Sequence, residues 1–246
     1  MEYLLKVTLV GLISGVIGTG IGGLAAFFIN NISNRLLGFI LEFSAGLMTA
    51  VVCFELIPKA FELGGTVLTF CGILVGILTI LVIENFIKQA NFFKRVKGNT
   101  SLLQAGILMA IGIALHNFPE GFAVGSGFEA SLSLGVTLTA IIMIHDIPEG
   151  IAMAVPMRAG GISKIKAFTL TVLSGVHMGL GALAGAALGE ISSSFVSICL
   201  GFASGAMLYV VYGELVPESK KLYLGRLSSI GNVLGILCGI IVSICN

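Results

Sequence analysis

This sequence predicts an all-α integral membrane bundle, on three grounds: its composition, the length of its apolar runs and the absence of a strand rhythm. Of 246 residues, 57% are hydrophobic and only 10% are charged, and the mean hydropathy is +1.09. A soluble domain carries about 25% charged residues, so this chain lacks the charge to cover a water-facing surface. Its apolar runs reach the roughly 20 residues that a membrane-spanning helix needs. Period-2 alternation broken by regular turns, the mark of a membrane β-barrel, is absent.

The runs fall at roughly 4–28, 36–56, 66–87, 102–125, 132–157, 165–188, 195–216 and 230–244. Together they predict one transmembrane domain over 1–246, with the last run the shortest. The first run exceeds the roughly 7–15-residue core of a signal peptide and is expected to persist as a helix. Turn-forming pairs separate the runs: Asn30-Asn31, Gly64-Gly65, Gly98-Asn99, Gly160-Gly161 and the Ser192–Ser194 segment. The 34 glycines are about twice the ordinary share of roughly 7%, and they suit helices whose backbones approach closely. Gly179–Gly189 reads as such a face, letting a neighbour slide close. Cys53, Cys71, Cys199, Cys238 and Cys245 form no CxxC pair and read as small buried hydrophobes.

Basic residues orient the bundle. With the N-terminus outside, Arg35, Lys88, Lys94, Arg95, Lys97, Arg158, Lys164, Lys166, Lys220, Lys221 and Arg226 fall on the inner side. Only Lys6 and Lys59 of the 13 basic residues fall outside. Basic loops stay cytoplasmic, so both termini are expected to be extracytoplasmic, in a plasma or inner membrane. No basic patch with interleaved aromatics points to nucleic acid.

Two internal repeats organise the chain. His116-Asn117-Phe118-Pro119-Glu120-Gly121 in the fourth run returns as His145-Asp146-Ile147-Pro148-Glu149-Gly150 in the fifth. Phe43–Met48 in the second run returns as Phe202–Met207 in the seventh, each followed by Glu-Leu-x-Pro at Glu55–Pro58 and Glu214–Pro217. The second and seventh runs cross in opposite directions. Similar sequences of opposite direction mark an inverted repeat, so the layout expected is 3+2+3, with runs 1–3 and 6–8 related.

The central pair carries the chemistry. Unpaired, Glu120, Asp146 and Glu149 would cost on the order of 7–10 kcal/mol at mid-membrane, from roughly 2.5–3.5 kcal/mol each. No Lys or Arg lies at matching depth in either run, so a bound cation or a water-filled path is the economical explanation. His116 and Glu120 are four apart, and Asn117 and Glu120 three apart, so each pair shares a helix face. His145, Asp146 and Glu149 repeat that spacing. Facing the two helices predicts one site of His116, Glu120, His145 and Glu149, mixed nitrogen and oxygen, suited to Zn(II), Fe(II), Co(II) or Ni(II). A second, all-oxygen site joins Asn117 and Asp146 to the same glutamates. Pro119 and Pro148 free the carbonyls of Leu115 and Ile144, and freed backbone in a membrane must face protein or water. Glu55 and Glu214, repeat equivalents near opposite membrane sides, are candidate pathway ligands. Glu42 and Glu84 read as helix-end or loop charges.

At these residues the sequence resembles the ZIP (Zrt-, Irt-like protein) family of divalent metal transporters, in its bacterial form. HNFPEG and HDIPEG resemble that family's paired metal motifs, and Gly201–Ser219 resembles its seventh helix. The resemblance implies eight helices in the 3+2+3 layout and uptake of zinc, iron or related ions into the cytoplasm. By similarity, His116, Glu120, His145 and Glu149 hold the principal metal, and Asn117 and Asp146 join the second. The resemblance also implies an elevator in which helices 1, 4, 5 and 6 slide against helices 2, 3, 7 and 8, and homodimers occur in the family. Leu173–Gly185 is similar to the family's SGxxEPxGA pattern but departs from it. The alignment puts Met178 where glutamate is usual and Gly179 where proline is usual. His177 is therefore counted among the metal residues and Met178 with the pathway.

The function expected is transmembrane transport of divalent transition-metal ions, zinc foremost, with iron, manganese, cobalt and cadmium as chemical relatives. The metal is cargo, and no catalytic cofactor is expected. The principal rival is an intramembrane metal-dependent hydrolase, which would keep an open coordination position and a general base. HExxH is absent, and an enzyme needs neither duplicated ligands nor an inverted repeat. A proton- or sodium-linked solute carrier should show solute-specific donors. A channel is disfavoured by ligands too tight for fast conduction.

Overall fold

The computed structural model describes residues 2–29, 33–89 and 101–244. Every regular element among them is helical, as expected where backbone groups find no water and must be satisfied within the helix. The elements are α1 (Glu2–Phe28), α2 (Asn34–Val51), α3 (Ile57–Gln89), α4 (Ser101–Ala130), α5 (Leu132–Ala159), α6 (Lys164–Gly189), α7 (Ser193–Val210), α8 (Val216–Leu222) and α9 (Arg226–Ile244). Ser33, Ser131, Ser163 and Ser192 cap α2, α5, α6 and α7, each accepting from the backbone N–H three residues on. Such a cap contributes about 1 kcal/mol.

Five helical stretches among the described residues are long and apolar enough to cross a membrane: Glu2–Ala25, Asn34–Ile83, Leu132–Arg158, Lys164–Gly189 and Ser193–Leu222. Their outward faces fit lipid. Along α1, Leu5, Leu9, Ile13, Ile17, Ile21 and Leu24 form an exposed ridge, and α3 and α9 expose Phe70, Leu74 and Leu78, and Val233, Leu237 and Ile241. A water-soluble monomer seldom leaves such continuous apolar faces bare.

Several boundaries differ from those expected. The second run does not end at Leu56. It passes through a π-helical turn, Val52–Leu56, into α3, and the chain breaks at Gly65 instead. The seventh run behaves alike, passing through a π turn at Val211–Leu215 into α8. In each turn the closing N–H, of Ile57 or Val216, reaches back five residues, to the carbonyl of Val52 or Val211. Pro58 and Pro217 follow at once, lacking an N–H and crowding the carbonyl four back, which favours the wider turn. The repeat detected in sequence is thus also a repeat of helix distortion. The last helix starts at Arg226 rather than 230, giving 19 residues, about 28 Å at 1.5 Å per residue. The Asn30-Asn31 and Gly98-Asn99 turns lie outside the described residues. Cys53, Cys71, Cys199 and Cys238 are free, though only Cys199 is buried, and Cys245 lies outside the described residues.

Gly65 has φ +69° and ψ −176°, a region essentially reserved for glycine. Gly65→Ala is expected to destabilise the protein by roughly 1–3 kcal/mol, read as a lower melting temperature. An unchanged melting temperature would show that the break does not need this conformation.

The helices sort by contact into one group of four and two pairs. α1, α4, α5 and α6 pack extensively on one another, as do α3 with α7 and α2 with α9. The groups meet chiefly where α4 touches α7 and α2 touches α5. The closest glycine-to-backbone approaches fall inside the groups. Gly22 and Gly150 join α1 to α5, Gly121, Gly181 and Gly185 join α4 to α6, and Gly72, Gly76, Gly201 and Gly205 join α3 to α7. The boundary is made of side chains instead: Phe122 of α4 meets Phe202 of α7 with ring centroids 5.0 Å apart. The glycine face of α6 lets a neighbour come close, as expected. That face binds α6 to α4, because removing Cβ atoms lets two backbones interlock.

Candidate metal centre

α4 and α5 pass side by side through their prolines, Pro119 and Pro148. Asn117, Glu120, His145, Asp146 and Glu149 are all fully buried. His145 and Glu149 share a face of α5 by their four-residue spacing, and Asp146 lies three from Glu149. The fold then adds the contact that spacing leaves open. His145 Nε2 is 2.6 Å from Glu120 Oε1 of α4, and 3.7 Å from both Asp146 Oδ1 and Glu149 Oε1. Taking one ligand atom from each of Glu120, His145, Asp146 and Glu149, all four atoms lie within 4.8 Å of one another.

Three carboxylates and one imidazole in this volume make an intensely electronegative point. Two unit charges under 5 Å apart repel by on the order of 3 kcal/mol at an effective dielectric of about 20. α4 carries no Lys or Arg, and α5 none before Arg158. A divalent cation relieves this repulsion, and the donor set of one nitrogen with carboxylate oxygens matches borderline transition metals.

Asn117 is fixed from behind. Its Nδ2 donates to the Ser174 carbonyl of α6 at 2.9 Å. Its Oδ1 is buried with no hydrogen-bond partner among the described residues, leaving an amide oxygen available to a cation. His116 lies in α4, but its side chain is outside the described residues. Met178 is fully buried on α6, with Ser14 Oγ of α1 3.7 Å from its sulfur. His177 is not brought to the group. It is exposed, and its Nδ1 lies 3.2 Å from the Ser174 carbonyl of its own helix. Adjacent residues diverge by about 100° around a helix, and with Met178 turned inward, His177 turns out.

Glu55 and Glu214 are the fourth residues of the two π turns, both half-buried, and neither belongs to the compact group. Glu55 lines an open cavity of about 300 Å³ with Lys59, Glu62, Ser131 and Thr137. Glu42 is a correction. It is buried, 2.9 Å from Lys220 Nζ and accepting from Asn232 Nδ2 at 2.9 Å. It ties α2 to α8 and α9 rather than ending a helix in water. Glu84's side chain is outside the described residues.

The residue that sequence reasoning passed over is Ser44 of α2. It is fully buried, with Oγ 3.4 Å from both Glu149 Oε1 and the His145 carbonyl. The repeat at Phe43–Met48 marked this stretch as distinctive, but nothing in a one-dimensional pattern says which neighbour a serine faces.

A family model described as ZIP Zinc transporter matches residues 94–245. The chain is 38% identical over 239 residues to a protein named zinc transporter ZupT from Chlorobium limicola, covering 89% of this chain and 90% of the relative. It is 34% identical over 238 residues to a protein of that name from Streptococcus mutans, covering 90% of each. Another, from Clostridium perfringens, is 32% identical over 272 residues, covering 96% of this chain and 94% of the relative.

Proposed function

This chain belongs to the ZIP zinc transporter family, and from that premise we propose that it carries Zn(II) and related divalent ions into the cytoplasm through the group on α4 and α5. It is a multi-pass membrane protein, and family membership favours transport over hydrolysis. The observation that carries the reading is the convergence of Glu120, His145, Asp146 and Glu149, fully buried, with ligand atoms within 4.8 Å. In this reading an ion replaces the contact between His145 Nε2 and Glu120 and takes ligands at about 2.0–2.2 Å. His116 completes the principal site. Asn117 Oδ1 and Asp146 form the harder second site, where Met178 supplies no charge.

Transport requires that the ion reach each side in turn. Leu138, Ile141 and Ile142, fully or almost fully buried, stand one to two turns before His145, and Ala152 and Met153 follow Glu149. Buried apolar side chains thus flank the group along α5 on both sides. We read α1, α4, α5 and α6 as the moving block and the remaining helices as its frame, an elevator within eight crossings in the 3+2+3 arrangement. Two features support this: glycine contacts hold α1, α4, α5 and α6 together, and the contact of α4 with α7 is made by side chains. The excess of basic residues on one side supports extracytoplasmic termini. Glu55 and Glu214, set on widened turns at repeat-related positions, serve the outer and inner mouths.

Purified protein in liposomes, offered Zn(II), Fe(II), Mn(II), Co(II) and Cd(II) in competition, tests this. Saturable zinc uptake is expected, with Cd(II) and Co(II) competing better than Mn(II), whose preference for all-oxygen sites is poorly met here. No saturable uptake of any of the five ions would overturn the reading.

A further inference from the structure

We propose that Ser44 is a positioning residue whose hydroxyl latches α2 to Glu149 while the site is empty and yields when cargo arrives. The inference rests on the metal-centre reading above and deepens it. Ser44 lies in the frame and Glu149 in the moving block. The Ser44 hydroxyl therefore bridges the boundary at the metal centre itself, where the other boundary contact described, between Phe122 and Phe202, is apolar.

A hydroxyl has one proton to donate, yet Ser44 Oγ has two acceptors at the same 3.4 Å, Glu149 Oε1 and the His145 carbonyl. Of the two acceptors the carboxylate is the stronger, so without cargo the proton favours Glu149. An ion on Glu149 withdraws that oxygen's electron density. The proton then goes to the His145 carbonyl, a neutral acceptor one turn earlier on the same helix. The latch competes with cargo for Glu149, and so lowers affinity and hastens release.

The internal repeat argues that this hydroxyl is not a general packing feature. The position equivalent to Ser44 in Phe202–Met207 is Ala203. The neighbouring Ser204 bonds its own helix, at the Leu200 carbonyl, 2.7 Å away. Only the copy facing the metal-centre glutamate carries a hydroxyl there. Ser44 is also fully buried, where water does not compete for its proton.

The test is zinc uptake kinetics in liposomes for Ser44→Ala and Ser44→Thr, with Glu149→Ala as control and zinc titration of the purified proteins in detergent. For Ser44→Ala, KM is expected to fall about threefold, the scale of a long, weak hydrogen bond. Because a tighter ion leaves more slowly, kcat should fall with it, keeping kcat/KM nearly constant. Ser44→Thr, which keeps the hydroxyl, should restore both constants. Packing damage would lower kcat with KM unchanged or raised, and that pattern overturns the latch. If Ser44→Ala accumulates poorly, the titration on its folded fraction decides: tighter zinc binding supports the latch, and unchanged or weaker binding overturns it. An inactive Glu149→Ala beside an unaltered Ser44→Ala removes the latch alone, whereas full uptake by Glu149→Ala removes the metal centre.

Discussion

Glu120→Gln and Glu149→Ala proteins are expected to take up zinc at no more than about one-hundredth of the wild-type rate while remaining folded. Losing one charged member of a buried ionic cluster costs roughly 3–5 kcal/mol, equivalent to about two to four powers of ten in affinity. Glu120 matters as the carboxylate that α4 sets against His145 Nε2 at 2.6 Å, and Glu149 as the one in reach of both His145 and Ser44. The stability readout has the opposite sign. Metal-free Glu120→Gln protein should melt no lower than wild type, because it removes one of three mutually repelling buried carboxylates at nearly constant volume. The rise in melting temperature that zinc confers by binding the native state should shrink or vanish. Wild-type uptake together with a wild-type zinc-induced rise in the Glu120→Gln protein would exclude this group as the transport site.

Gly150→Val should fail in the other way, losing stability and uptake together. Gly150 closes the HDIPEG motif, and a Cβ there would strike the Thr19 carbonyl oxygen and lie 2.9 Å from the Gly22 Cα, both on the α1 backbone. Backbone cannot rotate aside as a side chain can, so α1 and α5 must part. Overpacking of a well-filled interior costs typically 1–3 kcal/mol, and a valine against backbone sits at the upper end. The expected fall in melting temperature is about 5–10 °C. Zinc should not rescue it fully, since parting α1 from α5 also turns Asp146 and Glu149 out of register. An unchanged melting temperature would show that the two helices are not in contact at Gly150. Gly121 does the same for α4, lying against the Met178 carbonyl of α6. The final glycine of each repeated motif thus sets its helix against a neighbouring backbone.

What could be read directly from the sequence was whatever one helix decides alone. Composition and run length require a lipid-embedded bundle, because too little charge leaves no alternative solvent. Spacing places Glu120 with Asn117, and Glu149 with His145 and Asp146, because 3.6 residues per turn bring positions three and four apart together. The motif repeat pointed to α4 and α5 as the helices carrying the candidate site for the same local reason. Contacts between helices were undetermined, since rotation and depth of one helix against another depend on all the side chains between them. Facing the two motifs led to the expectation that His145 meets Glu120, but only the tertiary structure set them 2.6 Å apart, turned His177 outward, buried Glu42 against Lys220 and Asn232, and brought Ser44 to Glu149. It also decided which way the glycines face. Their number announced close packing, but a missing Cβ carries no direction until a partner backbone occupies the space. The π turns before Pro58 and Pro217 were half legible: the repeated Glu-Leu-x-Pro was visible, while the choice of a widened turn over a kink or a break rests on packing that holds the helix together on either side.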